Sequence, residues 1–142
     1  MKPRDLMVGD WVQDKNLQEA KYKVEAIGYS SITIKMGDEL QDYDISKFEP
    51  VLLTDGILNK NIEDCGGLGW YDVYIFRIDE YDAEYNWPSK FFGISDAFRY
   101  PKKPRFALVQ NDHENVVLDD IKYVHELQHI LRLFGIDKEV VL

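Results

Sequence analysis

Val124, Leu127, Leu131 and Phe134 recur at three- and four-residue steps near the end of the chain, and Ile121, Tyr123 and Ile130 widen the stripe. A run with that period is a helix with one apolar face, and such a face must be covered by another layer. Much of the remaining chain reads as short alternating segments, so the covering layer is a sheet and the fold class is α+β. The helix is expected over 119–134. Asp119 or Asp120 stands where a carboxylate caps a helix N-terminus and complements the positive end of its dipole. Gly135 stands where a left-handed residue ends a helix, with Ile136 folding back on the last turn. At about 100° per residue, His125, His129, Arg132 and Lys122 fall on the opposite, polar face. Both histidines are therefore expected to point away from the core.

The same helix contains His125-Glu126-Leu127-Gln128-His129, which matches the H-E-x-x-H signature of zinc hydrolases. That chemistry uses two imidazoles one turn apart and a glutamate that activates water, and it needs a third protein ligand. The extended form of the signature would place Gly and His where Arg132 and Gly135 stand. A downstream carboxylate remains: a strand turning back after Gly135 runs about 13 Å by Glu139, against about 9 Å of helix from Gly135 to His129. His113 is a looser candidate. Matches to so short a pattern arise often by chance, so a polar helix face is preferred and no metal or cofactor is expected. The alternative is a zinc-dependent hydrolase with ligands His125, His129 and Glu139 and with Glu126 as base.

The first fifty residues alternate apolar and polar positions in short pieces. Gly9-Asp10 bends the chain into a strand through Trp11 and Val12; strands follow over 21–27, 31–36, 41–45 and 48–53, bounded by Gly28 and Gly37. Pro50 suits an edge strand. A meander of this size commonly curls into an SH3-like barrel, a fold that hosts many functions. The expected organisation is an SH3-like β-lobe over 1–53 and an α+β lobe over 54–142, closed by the 119–134 helix.

The second lobe begins with a short helix over 55–60 that buries Ile57 and Leu58. Cys65-Gly66-Gly67-Leu68-Gly69 reads as a flexible junction; it matches neither a dinucleotide fingerprint nor a phosphate loop. Cys65 has no histidine near it in sequence, so thiol catalysis has no support. Strands are expected over 72–78, 90–94, 106–110 and 115–118, with a last short strand over 138–142. The acidic stretch 79–84 reads as a solvated hairpin tip, and its spacing fails as a calcium loop. Trp70, Trp87 and the tyrosines read as core rather than a ligand groove. Arg99-Tyr100-Pro101-Lys102-Lys103-Pro104-Arg105 is the one basic cluster, held extended by its prolines. Lys102, Lys103 and Tyr100 are candidate binding residues there, although balancing the protein's own acids is the preferred reading.

In 142 residues, 45% hydrophobic and 13% aromatic, there is material for a real core, and disorder is not expected. The net charge of −9 opposes general nucleic-acid binding, since phosphates are repelled. It leaves open a basic partner, or mimicry of nucleic acid towards one. The single cysteine, Cys65, fits a reducing compartment. Neither a signal peptide nor an apolar span long enough for a membrane is read, so the expectation is cytoplasmic with no membrane association.

Three segments occur in an order that resembles a known group: Val8-Gly9-Asp10-Trp11-Val12, Phe48-Glu49-Pro50-Val51-Leu52-Leu53-Thr54, and Tyr123-Val124-His125-Glu126-Leu127-Gln128. They are similar to "GDWV … IEPIPLT … VHxLQ", a pattern of uncharacterised small proteins from phages and mobile elements of gut Bacteroidetes. The resemblance does not extend over 70–105. It implies that Val124, His125, Leu127 and Gln128 belong to a docking helix, and it transfers no catalytic residue. The resulting expectation is a non-enzymatic accessory or interaction protein with a protein partner. Its contact residues would be His125, His129 and Arg132, or the basic loop.

Overall fold

The computed structural model describes residues 1–68, 71–84, 87–95, 107–110 and 121–142. The chain is mixed α+β and divides into two compact units. The first comprises Met1–Leu52 and Tyr123–Glu139; the second comprises Leu53–Lys122 and Val140–Leu142.

In the first unit a five-stranded antiparallel sheet is built from β1 (Trp11–Asp14), β2 (Lys21–Ile27), β3 (Ser31–Met36), β4 (Glu39–Asp44) and β5 (Phe48–Pro50). The strand order is β4-β3-β2-β1-β5, so β4 and β5 are its edges. A short 3-10 helix, Ile45–Lys47, separates them; Asp44 caps it by accepting the Ser46 N–H at 2.8 Å. β2 serves two partners. Its first half pairs with β1 (Trp11↔Lys23), its second with β3 (Ile27↔Ile32), and a register shift between Val24 and Ala26 marks the change. Bulges of this kind bend and twist a strand.

Alternation decides what lies inside: Val12, Val24, Ile32 and Ile34 are buried and cluster with Leu6, Ile45 and Phe48. Tyr22 and Tyr43 meet the Phe48 ring edge-on, at 6.1 and 5.9 Å between centroids. Pro50 sits opposite Val12 on an edge strand, where its missing N–H costs no central ladder bond.

The C-terminal helix is shorter than its apolar stripe suggests. α2 runs Val124–Leu133 with Tyr123 as N-cap; 119 and 120, the expected caps, lie outside the described residues. Its start is tied to the chain after β5, since the Val124 N–H donates to the Val51 carbonyl at 3.0 Å and Tyr123 bridges Leu52. Those backbone bonds fix residues 121–123 as extended chain and delay the helix. α2 ends as its sequence suggests. Gly135 adopts φ +67°, its N–H reaches the Arg132 carbonyl, and the Ile136 N–H reaches the Leu131 carbonyl at 2.8 Å. That is a Schellman closure with Ile136 buried over it. A ten-residue helix is marginal alone. Burial of Val124, Leu127 and Leu131, each fully inaccessible, stabilises it by about 1.5–3 kcal/mol per side chain. The helix was expected to close the second lobe; it belongs to the first unit instead.

The second unit contains α1 (Asp55–Asn61), capped by Thr54, and an antiparallel sheet in the order β6-β7-β8-β9. These strands are β6 (Asp64–Leu68), β7 (Tyr71–Asp82), β8 (Trp87–Ser95) and β9 (Ala107–Gln110). Two expectations change here. The glycine-rich segment is strand rather than flexible junction as far as Leu68, in continuous register with β7 from Asp64↔Ile75 to Leu68↔Tyr71. The acidic stretch through Asp82 is also strand rather than hairpin tip, because β7 continues against β8 to Asp82↔Trp87. Ladder pairing with a neighbour overrides weak local propensity in both. Ile57, Leu58, Tyr74, Ile75, Phe76, Phe92, Ile94 and Ile121 are buried.

Residues 138–142 form no strand. Backbone pairing is replaced there by Asn61, whose side chain accepts the Val141 N–H at 2.7 Å and donates to the Val141 carbonyl at 2.8 Å. The strand expected over 115–118, Trp70 and the basic cluster 99–105 lie outside the described residues.

Candidate functional site

The first unit holds one concentration of buried polar chemistry, centred on Asp10. This residue follows Gly9 at the turn into β1 and shares the inward parity of Val12, so the strand aims its carboxylate into the unit. Asp10 is fully inaccessible to solvent. Its backbone is fixed on both sides: the Asp10 carbonyl accepts the Val24 N–H at 2.9 Å, and the Asp10 N–H reaches the Met7 carbonyl at 3.1 Å.

Three groups surround the carboxylate. One oxygen accepts the Met7 N–H at 2.7 Å and lies 2.7 Å from His129 Nε2. Since a carboxylate only accepts, Nε2 carries the hydrogen, either as the Nε2–H tautomer or as imidazolium. The other oxygen lies 3.6 Å from a guanidinium nitrogen of Arg132 and makes no hydrogen bond to protein. Arg132 needs room to arrive there, and Gly9 provides it. A Cβ built on Gly9, whose φ is +91°, would stand 2.7 Å from an Arg132 guanidinium nitrogen.

His125 is the fourth member. It is buried, its ring stacks on Tyr123 at 5.7 Å, and it meets the His129 ring edge-on at 5.6 Å. Burial pushes its pKa below the ordinary imidazole value, against the opposing pull of Asp10 and Glu126. Its Nδ1 is buried without a hydrogen-bond partner. The expectation that both histidines point to solvent is therefore corrected. His125 is buried and His129 half-buried against Asp10, while Arg132 reaches the same carboxylate from an exposed position.

Glu126, the base of the zinc reading, has a structural engagement. Its carboxylate accepts the Tyr123 N–H at 2.9 Å, the glutamate half of a capping box. Glu139, the proposed third ligand, pairs with Lys23 at 2.6 Å, and that partner holds its carboxyl below the usual range. Among the described residues no group of three or more His, Cys, Asp or Glu side chains is placed to hold a metal ion. Lys102, Lys103 and Tyr100 lie outside the described residues.

His125, His129 and Arg132, expected as contact residues, lie around Asp10, which the sequence reading did not single out. The parity of Asp10 with Val12 was the available signal. The same reading missed Gln128 as a tether too: this buried side chain donates to the Lys138 carbonyl at 2.9 Å and holds the chain after α2. Comparison with protein-family models, curated proteins and solved structures returned no match.

Proposed function

We propose that the chain is a non-enzymatic accessory or interaction protein of the cytoplasm, encoded by a phage or mobile element, that works by binding another protein. The observation that carries this reading is that three of the four groups the hydrolase reading would use, His129, Glu126 and Glu139, hold structural partners, while the fourth, His125, is buried. His129 is bound to a buried carboxylate, Glu126 caps its own helix, and Glu139 is ion-paired. These are the uses of a helix that is being pinned to a sheet. The first unit is read as an SH3-like barrel; its support is the strand order β4-β3-β2-β1-β5, the bulged β2 and the 3-10 turn between β4 and β5. Barrels of that kind present edges and loops to partners. Among the described residues, no helix is long and apolar enough to cross a membrane.

The test is elemental analysis of untagged protein with thermal melts in chelator and in added zinc. The expected result is substoichiometric zinc and an unchanged melt. About one zinc per chain, lost in His129→Ala while the fold persists, would replace this reading with the hydrolase.

A further inference from the structure

Strand β4 is an edge of its sheet, and five of its six residues are exposed. It is joined to β3 by the two-residue turn Gly37-Asp38, with Gly37 at φ +61° and Met36 opposite Glu39. A two-residue turn closes on a hydrogen-bonded pair, and such pairs alternate along an antiparallel ladder. Glu39, Gln41 and Tyr43 therefore bond to β3. Leu40, Asp42 and Asp44 turn their N–H and C=O groups outward, where among the described residues no strand pairs with them.

The two edges of the sheet differ in how they are guarded. β5 has three residues and contains Pro50. β4 has six residues in unbroken register, without proline, lysine or bulge. Its one guard is charge. A second copy pairing antiparallel about Asp42 would set carboxylate against carboxylate, which is unfavourable on directly opposed positions. That disfavours this self-pairing and favours a partner of the opposite sign.

Resting on the interaction-protein reading, we propose that β4 is a docking edge for an extended basic segment that adds as a further strand. The side chains beside the outward backbone groups are Leu40, which is 62% exposed, then Asp42 and Asp44. Asp42 already accepts the Thr33 hydroxyl and Asp44 the Ser46 N–H, which hold both carboxylates in place and leave lone pairs free. The partner strand accordingly carries Lys or Arg at two alternate positions and an apolar residue at the next alternate position. Antiparallel addition reads basic-x-basic-x-apolar; parallel addition reads the reverse. Main-chain bonds supply affinity, and the alternate side chains supply selection.

The experiment uses the full chain and an acetylated, amidated peptide Lys-Thr-Lys-Thr-Leu-Thr, followed by backbone NMR and amide exchange. The expected result is saturable, salt-weakened binding, with exchange of the Leu40 and Asp42 amides slowed at least about tenfold. The same peptide N-methylated at both lysines keeps its charge but loses its donors, and should bind about tenfold more weakly. Asp42→Asn keeps the acceptor for Thr33 and should weaken the lysine peptide about threefold or more, without changing the melt. Equal binding of the N-methylated peptide, protection elsewhere, or no binding at millimolar peptide overturns the proposal. Concentration-dependent protection of Leu40 and Asp42 without peptide would make a second copy the occupant and overturn it too. Any of these results in zinc-free protein removes the docking edge alone; the interaction-protein reading falls only on stoichiometric zinc.

Discussion

Asp10 concentrates several separable effects in one side chain. Replacing it with Ala removes the acceptor for the Met7 N–H and leaves His129 and Arg132 without their anion. Breaking a buried pair by removing one partner costs about 3–5 kcal/mol. Because His129 and Arg132 keep some access to water, at 24% and 34% side-chain exposure, the expected loss is about 2–4 kcal/mol by urea denaturation. Arg132→Ala should cost under about 1 kcal/mol, as expected for a long, partly exposed ion pair. Gly9→Ala should cost about 1–3 kcal/mol, because its φ is in the left-handed region and the new Cβ meets the guanidinium. The steric part of that loss should disappear in Gly9→Ala combined with Arg132→Ala, while the backbone part remains. His125 gives a pH signature. Its pKa is depressed in the folded state by burial, so the unfolded chain binds the proton more readily. The stability His125 contributes is full above its unfolded pKa of about 6.5. It is lost as pH falls through that value towards the folded pKa, and is flat below it. His125→Phe retains the stack on Tyr123 and should reduce this slope below about pH 6.5, measured by denaturation at each pH.

At the scale of the element, α2 shows how one short sequence serves two readings. The Glu126 that matches a catalytic base is a capping residue, so Glu126→Ala should lower stability by about 0.5–1 kcal/mol and Glu126→Gln by less. A cap effect of that size in metal-free protein, with no change on adding zinc, is the outcome expected. The C-terminus of α2 was legible from Gly135 and Ile136, because a Schellman closure depends on local residues alone. Its N-terminus was not legible. Backbone pairing of Leu52 with Tyr123 and of Val51 with Val124 decides where the helix begins, and those partners are far apart in sequence. Strands β2 and β3 match their expected bounds for a related reason. Each carries apolar residues at alternate positions in sequence and is bounded by turn residues; β3 keeps that alternation in its burial, whereas the register shift between Val24 and Ala26 breaks it in β2 and leaves Ala26 exposed. β6 and the distal half of β7 show the reverse case, in which pairing overrode a glycine-rich and an acidic stretch.

For the whole molecule, the last five residues matter more than their position suggests. Lys138 and Glu139 are held within the first unit by Gln128 and Lys23, and Val141 and Leu142 within the second by Asn61 and Lys60. Asn61 is 1% exposed, so deleting 140–142 leaves its buried amide without both Val141 partners and with the Ile57 carbonyl alone. The expected cost is about 1–3 kcal/mol; amide exchange should accelerate in the second unit and leave the β1–β5 sheet unchanged. Asn61→Ala should act in the same direction and confine its effect to the same unit. The division near Leu53 was visible in the sequence as a change from short alternating strands to a helical segment. The assignment of α2 to the first unit was not, because a stripe of apolar residues specifies that a surface must be covered without specifying by which sheet. By itself, the sequence determined what depends on neighbours in the chain: the α+β class, the strands of the first sheet, the apolar face of α2 and the glycine that ends it. The tertiary structure alone decided what depends on residues far apart, above all that His125 is buried and that His129 and Arg132 converge on Asp10. A buried carboxylate requires partners wherever the fold brings them, and helical periodicity contains no record of Asp10.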